Sequence, residues 1–176
     1  MPSARVILAA AGLFAALVRV AYVIALPDLD GDAYGHFHIA GVVARHPTHL
    51  AVHWVWLPGH HFALAALRAL GVGMTGARLG NALLQTAGPF LLAAYAQAGD
   101  ARARPPRSLS REAYFAALAW TSCALPNVEG TTALSEVPFT LLVLGAALAL
   151  DRERAFAAGL LLAAAATLRY EAWVMT

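Results

Sequence analysis

Residues 6–26 form an apolar run broken only by Arg19. About 20 apolar residues in helical form match the ~30 Å hydrocarbon core of a bilayer. A run of this length therefore restricts what the chain can fold into more than any other feature. Four further apolar runs follow, at 79–97, 113–126, 134–150 and 155–168. Only 12% of the residues are charged, against about 25% in soluble domains. The mean hydropathy is +0.64. These observations predict an all-α fold, a polytopic membrane helical bundle with five crossings in a single module over residues 1–176. The net charge of +2 argues against a nucleic-acid partner. The single cysteine, Cys123, makes no intramolecular disulfide. The first run ends in Pro27-Asp28 without a strong cleavage pattern, so it reads as an uncleaved anchor.

The polar residues are confined to a few places. Asp28, Asp30 and Asp32 lie within five residues, directly after the first run. Pro27 stops the helix before them. Asp30 or Asp32 suits the N-cap of a short helix from about 33 to 45, since Asp is favoured there. Apolar Tyr34, Phe37, Ala40, Gly41 and Ala44 recur along it at three-to-four spacing, as in a helix lying along an interface. His46-Pro47 ends it. Pro89 predicts a kink in the run 79–97. Arg19 either snorkels to the outer surface or pairs with an acid of the following loop.

Residues 54–71 decide the topology. They hold Trp54, Trp56, Pro58, His60, His61 and Arg68. If they cross the membrane, the four-arginine segment 100–111 falls outside and Glu136 lies opposite Asp32. If they are re-entrant or interfacial, Arg5, that segment and Arg152/Arg154 all become cytoplasmic. Asp28, Asp30, Asp32, Glu136, Arg169 and Glu171 then gather at the outer face. The bias of Arg toward cytoplasmic loops favours the second arrangement.

In that order, the chain presents an Arg within the first run, then Asp30-Gly31-Asp32-Ala33-Tyr34 and Trp56-Leu57-Pro58-Gly59-His60-His61. Ala77-Arg78-Leu79-Gly80-Asn81, a basic loop, Leu134-Ser135-Glu136-Val137-Pro138 and Thr167-Leu168-Arg169-Tyr170-Glu171 follow. The succession resembles the N-terminal part of GT-C superfold glycosyltransferases, of the protein O-mannosyltransferase and aminoarabinose transferase kind. The resemblance covers nearly the whole chain as an order of features. It implies a polytopic enzyme of a bacterial inner membrane, working on the non-cytoplasmic face, of which this module is the N-terminal part. The rest, or a partner subunit, would complete the donor groove. The implied donor is a polyprenyl-phosphate-linked sugar, with membrane lipids around it. The implied base or metal-binding acid of the first outer loop falls on Asp32, with Asp30 next, and the implied metal is divalent, Mg or Mn. Where many relatives have Asp-Glu before an aromatic, this chain has Asp32-Ala33-Tyr34.

Sugar transfer from a lipid phosphate needs a carboxylate to take the acceptor's proton and a cation to meet the departing phosphate. Asp32 or Asp30 suits the first role and Arg169 the second. Glu136, Tyr34, His36, His60 and His61 are candidate substrate-binding residues. Spacing alone reads the acids as a helix cap and a solvated loop, and Glu136, capped by Ser135, as a favourable first-turn acid. Asp28 reads as structural. A calcium hand starting at Asp28 would need an acid at position 39, which is Ile39. All seven histidines fall between His36 and His61 without a fixed zinc spacing. The alternative function is a small polytopic protein binding or moving a divalent cation through this His/Asp loop. A non-enzymatic membrane scaffold is the third reading.

Overall fold

A computed structural model describes residues 4–28, 30–53, 55–101 and 110–174. Residues 102–109 of the arginine segment and Trp54 lie outside the described residues. The fold is all-α. The helices are α1 (Ala4–Ala25), α2 (Gly31–Arg45), α3 (Pro58–Ala69), α4 (Met74–Leu84), α5 (Gly88–Ala101), α6 (Arg111–Ser122), α7 (Ala124–Glu129), α8 (Glu136–Asp151) and α9 (Ala155–Ala166). Short 3-10 turns occupy Leu50–His53, Gln85–Ala87 and Tyr170–Val174.

Local chemistry sets the boundaries. The Asp30 carboxylate accepts the amides of Asp32 and Ala33 and so caps α2. Gly71, at φ +80, ends α3, and the Val72 amide reaches back to the Leu67 carbonyl. Pro89 has no N–H to offer the Gln85 carbonyl, so the Gly88 amide takes it in a tighter turn. That turn is the disturbance expected at Pro89. Pro126 likewise forbids α6 from running on. The helix stops at Ser122 and restarts as α7, so the run 113–126 is broken. Ser135 precedes α8 as expected, but its hydroxyl makes no cap bond.

Among the described residues the helices of the apolar runs pack side by side, α1 on α4 and α6, α5 on α6 and α8, and α8 on α9. At one end, Leu8 of α1 packs with Ala93 of α5 and with Ala113 and Ala117 of α6. At the other, Arg78 of α4 binds the last carbonyls of α1, and Arg169 after α9 meets Glu136 at the start of α8. A tight turn through Glu153, at φ 59, joins α8 to α9. Ala146, Ala149 and Ala158 pack there, small side chains that let the two helices approach closely. α2 lies on α3 through Ala33, Ala40, Val43, Leu64 and Ala65.

One helix among the described residues, at Val6–Ala25, is long and apolar enough to cross a membrane. Pro58–Ala69 with Met74–Ala98 meets that test only as a pair bent by 120°. Pro58–Ala69 thus does not run in line with the helical segment that follows. α8, with 16 residues, and α9, with 12, are shorter, about 24 and 18 Å at 1.5 Å per residue. Leu13, Phe14, Leu17 and Ile24 of α1 and Phe156 and Leu160 of α9 stand exposed.

Arg19 does not snorkel and, among the described residues, pairs with no acid. It is buried and donates to Asn127 Oδ1 (2.8 Å), Thr86 Oγ1 (3.1 Å) and the Ala82 carbonyl (3.4 Å). It therefore ties α1 to α4, α7 and the turn between α4 and α5 through neutral acceptors.

Candidate functional site

Beneath the acidic stretch lies a buried clasp. The Asp28 carboxylate is 3.6 Å from Arg78 Nε, and their side chains are 1% and 3% exposed. Asp28 also accepts the amides of Asp30 (3.1 Å) and Ala133 (3.3 Å). Arg78 donates to the carbonyls of Thr131 (2.8 Å), Leu26 (2.7 Å) and Val23 (3.3 Å). Asn81, one turn along α4 on the same face, donates to the carbonyls of Thr132 and Leu134. The clasp fixes the end of α1 and the segment 131–134 against α4, and so sets where α2 and α8 begin.

A second joint brings α3 to α9. The Gly59 amide donates to the Thr167 carbonyl at 2.9 Å. A Cβ at Gly59 would fall 2.7 Å from that same carbonyl oxygen, so only glycine admits this approach. The joint sets Trp56 and Leu57 beside Leu168, Arg169 and Tyr170. The Tyr170 hydroxyl adds a bond to the Val55 carbonyl (2.7 Å).

Between these joints opens a cavity of about 500 Å³. Its walls are Asp30, Asp32 and His36 from the start of α2, Trp56 and Leu57, residues 134–136, and residues 168–171. It brings together Asp30, Asp32, His36, Glu136 and Arg169 of the sequence candidates, from segments more than 100 residues apart. Asp32 is exposed there. The Oδ1 of Asp30 is committed to the cap of α2. Arg169 is bonded to Glu136 and, at 2.7 and 3.1 Å, to Glu171. The second oxygen of Glu136, Oε2, is buried without a partner. Hydrogen bonding from Arg169 holds the Glu171 carboxyl below the ordinary glutamate range. Burial, and then His60, push the His36 ring down to about 4, against the pull of Asp32 and Asp30.

Tyr34, His60 and His61 are not in the cavity wall. Tyr34 is half exposed on α2. His60 is buried against the Ala133 carbonyl at 3.0 Å. His61 is fully buried between two other rings, with His36 Nδ1 at 2.8 Å from its Nε2 and His53 Nδ1 at 2.7 Å from its Nδ1. Trp56 and Tyr170 are wall residues that sequence reasoning left without a role. Their aromatic character beside Pro58 and Arg169 was the available signal.

The two acids expected at a divalent ion, Asp30 and Asp32, both line the cavity. Asp30 spends an oxygen on backbone amides. Among the described residues no group of three or more His, Cys, Asp or Glu side chains is arranged to hold a metal. The histidines do not converge either, because His61 offers opposite ring nitrogens to its two neighbours. Neither a protein-family model, nor a curated protein, nor a solved structure matches the chain.

Proposed function

We propose that the chain is a membrane module of a GT-C-like glycosyltransferase, with the cavity as its transfer site at the non-cytoplasmic face. The observation that carries this reading is the convergence of Asp32, Glu136 and Arg169 on one open cavity. The membrane reading draws on the exposed apolar side chains of α1 and on α9, which has no polar side chain from Ala155 to Ala166. A helix apolar on all sides is stable only when wholly buried or in lipid. The passes of α8 and α9 would cross where neighbouring segments lengthen them.

In this reading Asp32 takes the proton from the acceptor hydroxyl, because it is the acid whose oxygens are not used by the fold. Arg169 meets the phosphate that departs from the sugar. Its guanidinium keeps N–H donors beyond those bound by the two glutamates, and Glu136 and Glu171 hold it in place. The unpaired Oε2 of Glu136 is an acceptor for a sugar hydroxyl. Asp30 contributes mainly by starting α2.

A lipid donor needs an apolar path beside the polar site. A smaller cavity sharing Asp30 adjoins, lined by Tyr22, Val128 and Thr131. A third, mostly apolar, continues from those residues to Val18 and Arg19. The series runs from the acids along α1, as a polyprenyl chain below its phosphate would.

The test is sugar transfer from polyprenyl-phosphate donors in membranes carrying the whole protein. Asp32→Asn is expected to lose about 10²–10⁴-fold in rate with thermal stability unchanged. Activity equal to wild type would remove Asp32 as the base. Labelling of a cysteine placed at Ser108, with Cys123 replaced, is expected only from the cytoplasmic side. Labelling from outside alone would overturn the proposed orientation.

A further inference from the structure

We propose that His36, His61 and His53 form a proton relay leading from the cavity to the loop that ends at His53. The inference rests on Asp32 acting as the group that takes a proton in the cavity.

The geometry carries it. His36 lines the cavity and turns Nδ1 toward His61 Nε2 (2.8 Å). His61 turns its other nitrogen, Nδ1, toward His53 Nδ1 (2.7 Å). Each contact needs one N–H and one lone pair, and neutral imidazoles supply one of each. The chain of bonds can therefore run in either direction with no charge on the rings. One nitrogen is left over at each end. At the inner end it is Nε2 of His36, on a ring that lines the cavity. At the other it is Nε2 of His53, which is buried without a partner, although His49, Ala51 and Val55 around it are exposed. A zinc or similar ion needs nitrogens that converge on one point, and here the middle ring faces two ways.

The proton balance follows. As the acceptor oxygen bonds to the anomeric carbon, the bond from that carbon to the phosphate oxygen breaks, and its electron pair leaves with the phosphate. The hydroxyl proton goes to Asp32. Asp32 passes it through a water of the cavity to Nε2 of His36 and becomes a carboxylate again. His36 gives its Nδ1 proton to Nε2 of His61, His61 gives its Nδ1 proton to Nδ1 of His53, and His53, whose Nε2 is buried, releases that proton to water when the exposed residues beside it, Ala51 and Val55, move aside. When the product has left, the shift runs backwards. Water returns a proton at His53, and His36 releases one to the water that refills the cavity. Asp32 thus stays ionised while the product still fills the site. Trp56, whose ring lies 4.7 Å from that of His36, covers the inner end.

His61 and His53 act through His36, so they are positioning residues, and the test must read proton transfer rather than rate alone. His61→Phe keeps a flat ring against His53, with which His61 stacks at 5.0 Å and 14°, and removes both nitrogens. In the membrane-bound whole protein the expected result is a tenfold or greater loss of transfer rate, an unchanged KM for the lipid donor and an altered solvent deuterium isotope effect. A rate and isotope effect equal to wild type overturn the relay while leaving Asp32 as the base. Should wild type transfer no sugar, or the variant fail to fold, nitrogen NMR of histidine-labelled wild type decides. Couplings across both N–H···N bonds, with exchange between the two directions, support the relay. Three rings in fixed tautomers without such couplings overturn it.

Discussion

Two carboxylates four residues apart, Asp28 and Asp32, have opposite surroundings. Asp28 is buried, faces Arg78 and accepts two backbone amides. Asp32 is exposed in the mouth of the cavity. The same contrast separates the two arginines opposite them. Arg78 has its donors on carbonyls at the end of α1 and of Thr131, whereas Arg169 holds two partly exposed glutamates and keeps donors to spare. An ion pair that shapes the fold is enclosed and fully bonded. One that could serve chemistry must leave something unbonded where a ligand can reach it.

The largest effect is expected where the clasp is broken. Arg78→Met leaves Asp28 buried without its cation and several carbonyls without a donor. A cost of about 3–5 kcal/mol is expected, since removing one member of a buried pair strands the other. It would appear as a large drop in the thermal midpoint in detergent, with every probe of the cavity lost together. Arg169→Ala is the matched change on the open side. Its stability cost is expected at about 1 kcal/mol or less, in line with half-exposed pairs. If both substitutions destabilise equally, the contrast between clasp and cavity fails.

The clasp shows why the sequence was legible only in part. The five runs could be read because length and apolarity are properties of consecutive residues. The cap at Asp30 could be read because it acts on amides two and three residues away. The tie from Arg78 to Asp28 spans 50 residues, and Arg78 stood in the sequence only within the stretch Ala77-Arg78-Leu79-Gly80-Asn81. His36, His53 and His61 belong to three separate elements, so the search for a fixed spacing was bound to miss them. Gly59 reads as an ordinary break near a proline until the Thr167 carbonyl is seen against it. The expectation for Arg19 missed because acids were the only partners considered, and the fold supplied neutral oxygens instead.

Asp30 sits between the two regions, and a pair of substitutions can assign it. Asp30→Ala is expected to cost about 1 kcal/mol through loss of the α2 cap. Asp30→Ser keeps an oxygen for the amides of Asp32 and Ala33 but removes the carboxylate. Thermal stability near wild type with transfer activity retained in Asp30→Ser assigns the residue to the fold. Stability retained with activity lost would place Asp30 beside Asp32 as an acid of the site.

The smallest effect is expected at the rim. Glu171 is more than half exposed, and the Arg169 hydrogen bond depresses its pKa. A carboxyl with a depressed folded-state pKa adds stability above its unfolded value of about 4.3. It loses that contribution as pH falls through the lower folded value. Glu171→Gln should therefore cost about 0.5 kcal/mol or less at neutral pH, and the difference from wild type should vanish as the solution is taken well below pH 4. Added salt should shrink it too, because exposed charges are screened. A Glu171→Gln effect that is large, or that persists in acid and salt, would mean that the rim is enclosed like the clasp, and the distinction between the two arginines would have to be redrawn.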